Sequence, residues 1–268
     1  IHCLKAAGIE TGAVVRTFGG YDLFTGEPFT GSLAARVTVN DGVVASQMVS
    51  PLTSLLVDVP DAGDQEDLLD FFGLLDADLD ADFLDSDVYN LDTVKHATIL
   101  NSAIKLHKVV SLFSEVFSDK YEDFGGEERS FPESPSAIIY KALADTLGTL
   151  ADSTALTRDK IDSIFNDAQL AISDLYLENT DEDGDNNYPG AIDNSVKSKA
   201  LDNAVAILGL IDNAIPSSTS FNDAKLRVIG VETVVKKMVD GDSDVSDAVT
   251  ELGKPNSTLY TAINNALG

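Results

Sequence analysis

The chain changes hydrophobic period once, and that change limits what it can fold into. Between residues 12 and 60 the apolar side chains come in short runs: Val14 and Val15, Phe18, Leu23 and Phe24, Phe29, Leu33, Val37 and Val39, Val43 and Val44. Glycine punctuates them at Gly19-Gly20, Gly26, Gly31 and Gly42. Short apolar runs bounded by turn residues read as β-strands, and Asn40-Asp41-Gly42 between R-V-T-V and V-V-A-S reads as a hairpin turn, because Asn and Gly adopt positive φ at low cost. Three to five short strands are expected. Pro51 then removes a ladder donor, so L-T-S-L-L-V is either a last strand or a first helical turn.

From about residue 64 the apolar spacing becomes three and four. Leu68, Leu69, Phe71, Phe72 and Leu74 form a patch on a short helix that Gly73 ends. A long helix is expected over 91–118, with Ile99, Leu100, Ala103, Leu106, Val109, Val110, Phe113 and Phe117 on its buried face. Ser134 before Pro135 places an N-cap oxygen and a first-turn proline at the start of a helix over 136–151. Further helices are expected over 158–178, 192–214, 222–240, 244–252 and 257–267, each with an apolar stripe. Short polar connections favour antiparallel packing. The expected fold is therefore α+β and predominantly α: a small N-terminal β unit, residues 1–60, packed on a C-terminal antiparallel α-helical bundle, residues 61–268.

Charge narrows the list of partners. Across 268 residues, 45 Asp and Glu face 18 Lys and Arg, a formal net charge of -27, which repels phosphate backbones and anionic lipid surfaces. Neither nucleic-acid binding nor membrane insertion is expected, and no apolar run approaches the roughly 20 residues of a membrane span. Self-repulsion on this scale is relieved by salt, whose screening length falls to about 3 Å near 1 M, or by bound cations. A saline, calcium-containing exterior fits such a chain. Cys3 is the one cysteine, so no disulfide forms within the chain.

Catalytic signatures are missing from the sequence. There is no G-x-S-x-G, no G-x-x-x-x-G-K-S/T and no G-x-G-x-x-G. His96 and His107 lie eleven residues apart, about 16 Å along a helix axis, too far to share a metal ion. With three His and one Cys in the whole chain, the ligand pool for zinc is almost empty. Catalysis is not expected.

The sharpest chemical signal is residues 179–190, N-T-D-E-D-G-D-N-N-Y-P-G. Oxygen ligands at alternate positions with Gly at the sixth suit a hard cation in a tightly turning loop: Asn179 first, Asp181 third, Asp183 fifth, Gly184 sixth and Asp185 seventh. Gly190 stands where an EF-hand has its bidentate Glu, and Asp193 is the substitute from slightly further on. Calcium on Asn179, Asp181, Asp183, Asp185 and Asp193 competes with a solvated acidic turn between two helices. A second acidic run, residues 76–87, alternates carboxylates with Leu79 and Phe83 but has no Gly to tighten it, and reads as an extended connector.

The stretch G-G-Y-D-L-F-T-G-E-P-F-T-G-S-L-A-A from Gly19, then V-S-P-L-T-S-L-L-V, then F-F-G-L-L-D-A-D-L-D-A-D-F-L-D-S-D, resembles a module of large secreted and cell-surface bacterial proteins, among them adhesin-like and cadherin-repeat-bearing chains. The likeness covers residues 19 to about 115. Ser54 stands where the module has a second Thr, and Phe72-Gly73-Leu74 where it has Leu-Gly-Leu; neither change alters the expected packing. The resemblance implies an exported, non-enzymatic role at the bacterial cell surface, in adhesion or extracellular assembly, with the chain itself or neighbouring modules as partners. A polymerising subunit is one form of that role, in which an N-terminal segment, within residues 1–18, completes a neighbour's sheet by strand addition. The alternative is a secreted calcium-dependent module that binds a small ligand or peptide between its helices.

Overall fold

The computed structural model describes residues 12–19, 31–37, 39–40, 43–44, 49–59, 61–74, 93–121, 134–148, 156–178, 188–215, 227–228 and 230–231. Four short strands lead into six helices among these residues: β1 (Val14–Phe18), β2 (Ser32–Arg36), β3 (Val39–Asn40), β4 (Val43–Val44), α1 (Pro51–Leu56), α2 (Ala62–Phe71), α3 (Thr93–Lys120), α4 (Pro135–Gly148), α5 (Arg158–Glu178) and α6 (Asn194–Ala214). The fold is α+β and mainly α. β1 pairs antiparallel with β2, and β3 with β4. Pairing of Asn40 with Val43 leaves two residues between the strands, the spacing of the expected hairpin.

The ambiguous L-T-S-L-L-V segment is helical, and its first residues explain why. Ser50 is the N-cap, its hydroxyl accepting from the Thr53 amide at 3.2 Å, while the Ser50 amide donates to Thr53 Oγ1 at 2.8 Å. Pro51 occupies the first turn, where its missing N–H costs nothing. S-P-L-T is thus a capping box with a proline start. Leu52 and Leu55 point from α1 into the core.

α2 ends as its sequence requires. Gly73, at φ 68°, donates its amide to Asp70 O at 2.8 Å, and Leu74 donates to Leu69 O at 2.8 Å. These two bonds make a Schellman motif, with Leu74 fully buried behind it. Ser134 caps α4 as expected, accepting from the Ala137 amide at 3.3 Å.

Helices α3, α4, α5 and α6 pack in a ring, each against the next and α6 back against α3. Cross-links fix the directions. Arg158 meets Asp202, Lys197 meets Asp162, and Gln169 Oε1 accepts the Ile192 amide at 3.0 Å, so α5 and α6 run antiparallel. Asn101 donates to Ile215 O at 2.9 Å and Lys105 pairs with Asp212, so α3 and α6 do too. α1 lies on α3 and α4, and α2 on α4. One apolar core runs through all of these helices, from Leu52 to Ile211, and therefore continues across residue 60.

At its centre Phe165 of α5 meets Phe113 edge-on and Phe117 tilted, each with ring centroids 4.9 Å apart. Such pairs contribute about 0.5–1.5 kcal/mol beyond their buried area. Where both sides of a boundary are described, the helices begin or end within two residues of the expected positions: α3 ends at Lys120 against residue 118 and α6 begins at Asn194 against residue 192, while the expected end of the α4 helix at residue 151 lies outside the described residues. Of the helix expected over 222–240, residues 227–228 and 230–231 are helical; those expected over 244–252 and 257–267 lie outside the described residues.

Candidate functional site

Two places in this fold bear on function: the connection between α5 and α6, and the two-stranded sheet of β1 and β2. Asn179, Asp181, Asp183 and Asp185 lie outside the described residues, so the structure places only Asp193 of the five expected calcium ligands. It is the N-cap of α6, exposed, with extended ψ of 137°, and its carboxylate makes no capping hydrogen bond. Among the described residues no group of three or more His, Cys, Asp or Glu is arranged to hold a metal ion.

Both ends of the connection are held by tyrosines. Tyr176, in the last turns of α5, and Tyr188, at the far end of the connection, have ring centroids 5.8 Å apart, and both meet Tyr121 just beyond α3. The Tyr121 hydroxyl donates to Gly190 O at 3.2 Å and lies 3.4 Å from the Tyr188 hydroxyl. Burial, then the Tyr188 hydrogen bond, then the neighbouring phenols push the Tyr121 pKa well above the ordinary tyrosine value. The phenol stays neutral throughout the physiological range and serves as a hydrogen-bond donor. The convergence of Tyr121, Tyr176 and Tyr188 carries no local sequence signal, since it depends on how α3, α5 and α6 are packed.

In the sheet, β2 has two neighbours of different kinds. One side pairs with β1. On the other side the Ala34 amide donates to Ser54 Oγ at 2.8 Å, and Ala34 O accepts from Thr53 Oγ1 at 2.9 Å. The Ser32 amide donates to Ser136 Oγ at 3.0 Å, inside a triangle of hydroxyls in which Ser32, Ser134 and Ser136 lie 2.7–3.0 Å apart. Arg36 Nε reaches Val57 O at 2.7 Å. Side chains of α1 and α4 thus stand where a third strand would pair.

The scarce cations are used between elements. Lys105 bridges α3 to α6, Arg158 bridges α5 to α6, and Lys197 bridges α6 to α5, where it also donates to Asn166 Oδ1 at 2.6 Å. Lys160 of α5 sits 4.8 Å from the ring centroid of Phe71 of α2, and burial lowers its pKa. Attraction between helices that would otherwise repel is the physical return on each of these placements.

No protein-family model matches this chain, and neither does any curated protein or solved structure. Among the described residues no helix is long and apolar enough to cross a membrane.

Proposed function

We propose that this chain is an extracellular structural or adhesive subunit of a bacterial cell surface, without catalytic activity, that assembles with copies of itself or with neighbouring modules through its β unit. The observation that carries this reading is the asymmetry of the β1–β2 sheet: helix hydroxyls occupy the outer edge of β2, while β1 is exposed at four of its five residues. Strand addition joins modules through main-chain hydrogen bonds and takes its register from alternate side chains. The net charge of -27 suits a protein surrounded by salt and divalent cations, which screen one copy from the next.

Calcium is the cation this reading assigns to the connection between α5 and α6, through Asn179, Asp181, Asp183, Asp185 and Asp193. Two features support it. The tyrosine contacts hold Tyr176 and Tyr188, on either side of the acidic connection, with ring centroids 5.8 Å apart, and the Asp193 carboxylate is not engaged in capping α6. Negative-stain microscopy of the purified protein in high salt, with and without calcium, tests the assembly. Ordered fibres or arrays are expected; monodisperse particles in every condition would remove the structural reading and leave the calcium-dependent binding module.

A further inference from the structure

The two outer edges of the β1–β2 sheet are finished in opposite ways. Bonds from the Gly12 amide to Val37 O, from Val37 to Ala13 O and from Gly19 to Gly31 O set the ladder, and the register pairs Val15 with Ala35 and Thr17 with Leu33. In an antiparallel pair the hydrogen-bonded positions alternate, so the main-chain groups of Val15 and Thr17 face β2. Those of Val14, Arg16 and Phe18 face away. The corresponding outward groups of β2, at Ser32 and Ala34, meet hydroxyls of α4 and α1. No described residue meets those of β1, and its side chains are exposed, Phe18 to 71% and Val14 to 41%. V-V-R-T-F has strong strand propensity and no proline, and an edge of that kind, met by none of the described residues, is a template for one more strand.

Charge and length narrow the occupant. Residues 1–11 hold Lys5 against Glu10 and carry no net formal charge, in a chain whose net charge is -27. That stretch approaches the acidic body of another copy without the net repulsion that whole copies exert on each other. Residues 1–11 carry Ile1, Leu4, Ala6, Ala7 and Ile9. Extended, they reach about 36 Å, ample for a five-residue strand of about 17 Å. Residues 14–18 are not part of the donor, because they already form β1 in their own chain.

We infer that the outer edge of β1 accepts residues 1–11 of a second copy of this chain as an added strand. This choice of edge and donor rests on the self-assembly proposed above.

Arg16→Pro is the informative variant. It removes the outward amide at the centre of β1, while the amides of the two strands that face each other, at Val15, Thr17, Leu33 and Ala35, belong to residues of the other parity. Whole protein, wild type and variant, is followed by sedimentation velocity and electron microscopy at about 1 M salt, where charge repulsion is screened. Wild type is expected to assemble, Arg16→Pro to remain monomeric at an unchanged melting temperature, and a synthetic peptide of residues 1–11 in excess to hold wild type monomeric. Assembly of Arg16→Pro at the wild-type level overturns the edge, and failure of the peptide to compete overturns the donor. A wild type that is monomeric throughout removes the self-assembly reading itself and this inference with it. Should Arg16→Pro lower the melting temperature, Phe18→Asp decides instead: that side chain is exposed, so the fold should survive, and undiminished assembly overturns the proposal.

Discussion

The amide of Ala34 in β2 donates to the hydroxyl of Ser54 in α1 at 2.8 Å, so a helix side chain completes the edge of a strand. Each hydroxyl in this contact has one proton to give. Thr53 Oγ1 lies 2.9 Å from Ala34 O, and Ser54 Oγ 2.7 Å from Ser50 O. Assigning one proton to each carbonyl satisfies both, while the two oxygens accept from the Ser50 and Ala34 amides. All four groups are buried, which raises the penalty for losing any one of them.

Ser54→Ala leaves the Ala34 amide buried without an acceptor. A destabilisation of about 1–3 kcal/mol is expected, read from the urea midpoint at constant slope. An unchanged midpoint would show that the sheet edge does not depend on this hydroxyl.

Gly209 lies on the exposed side of α6, and a Cβ added there meets no atom within 4 Å. Gly209→Ala should therefore stabilise the protein by about 0.5–1 kcal/mol, since alanine loses less backbone entropy in a helix. Thermal unfolding checks this; a lower melting temperature contradicts the open environment.

Two tyrosines should respond oppositely to loss of their hydroxyls. Tyr140 is buried in α4 and its hydroxyl has no hydrogen-bond partner among the described residues, so Tyr140→Phe should be neutral or stabilising by up to about 1 kcal/mol. Tyr121→Phe removes the donor to Gly190 O and should cost about 0.5–1.5 kcal/mol. Equal effects from both changes would undo the contrast.

High pH should unfold the protein in a defined window. Burial raises the pKa of both Tyr121 and Tyr140 above the unfolded value near 10, so the folded state keeps protons that the unfolded state releases. Stability is therefore full below about pH 10 and falls as pH rises beyond it, by about 1.4 kcal/mol per pH unit for each such group. Tyr140→Phe should flatten that slope. Tyrosinate absorbance rising for all seven tyrosines before any loss of helix by circular dichroism would contradict it.

Calcium should stabilise the fold by mass action, by about 2.7 kcal/mol at a hundredfold excess over Kd. The chain has no Trp, so tyrosine emission near Tyr176 and Tyr188 can report occupancy, by sensitising terbium bound in place of calcium. Asp193→Asn should weaken both signals. A melting temperature indifferent to chelator removes the calcium assignment.

Several elements were legible because their causes are local. Ser134-Pro135 announced the start of α4, and Gly73 the end of α2, since capping groups lie within four residues of the atoms they satisfy. The range expected for α5 agrees with its observed span because its apolar stripe and polar flanks lie within a single segment. S-P-L-T-S-L-L-V was ambiguous for a specific reason: Pro51 fits both a strand end and a first helical turn. The Thr53 side chain, by closing a capping box on Ser50, decides for the helix. Of the candidate calcium ligands, only the placement of Asp193 at the head of α6 was both expected and described.

By itself, then, the order of residues determined where helices begin and end, which faces are apolar, and how negative the surface must be, because those properties arise from neighbours a few positions apart. Only the tertiary structure decided that Ser136 would close the β2 edge at Ser32 and that Tyr121, Tyr176 and Tyr188 would meet. Those contacts join residues up to about a hundred positions apart, and chain packing, which no local pattern encodes, selects them.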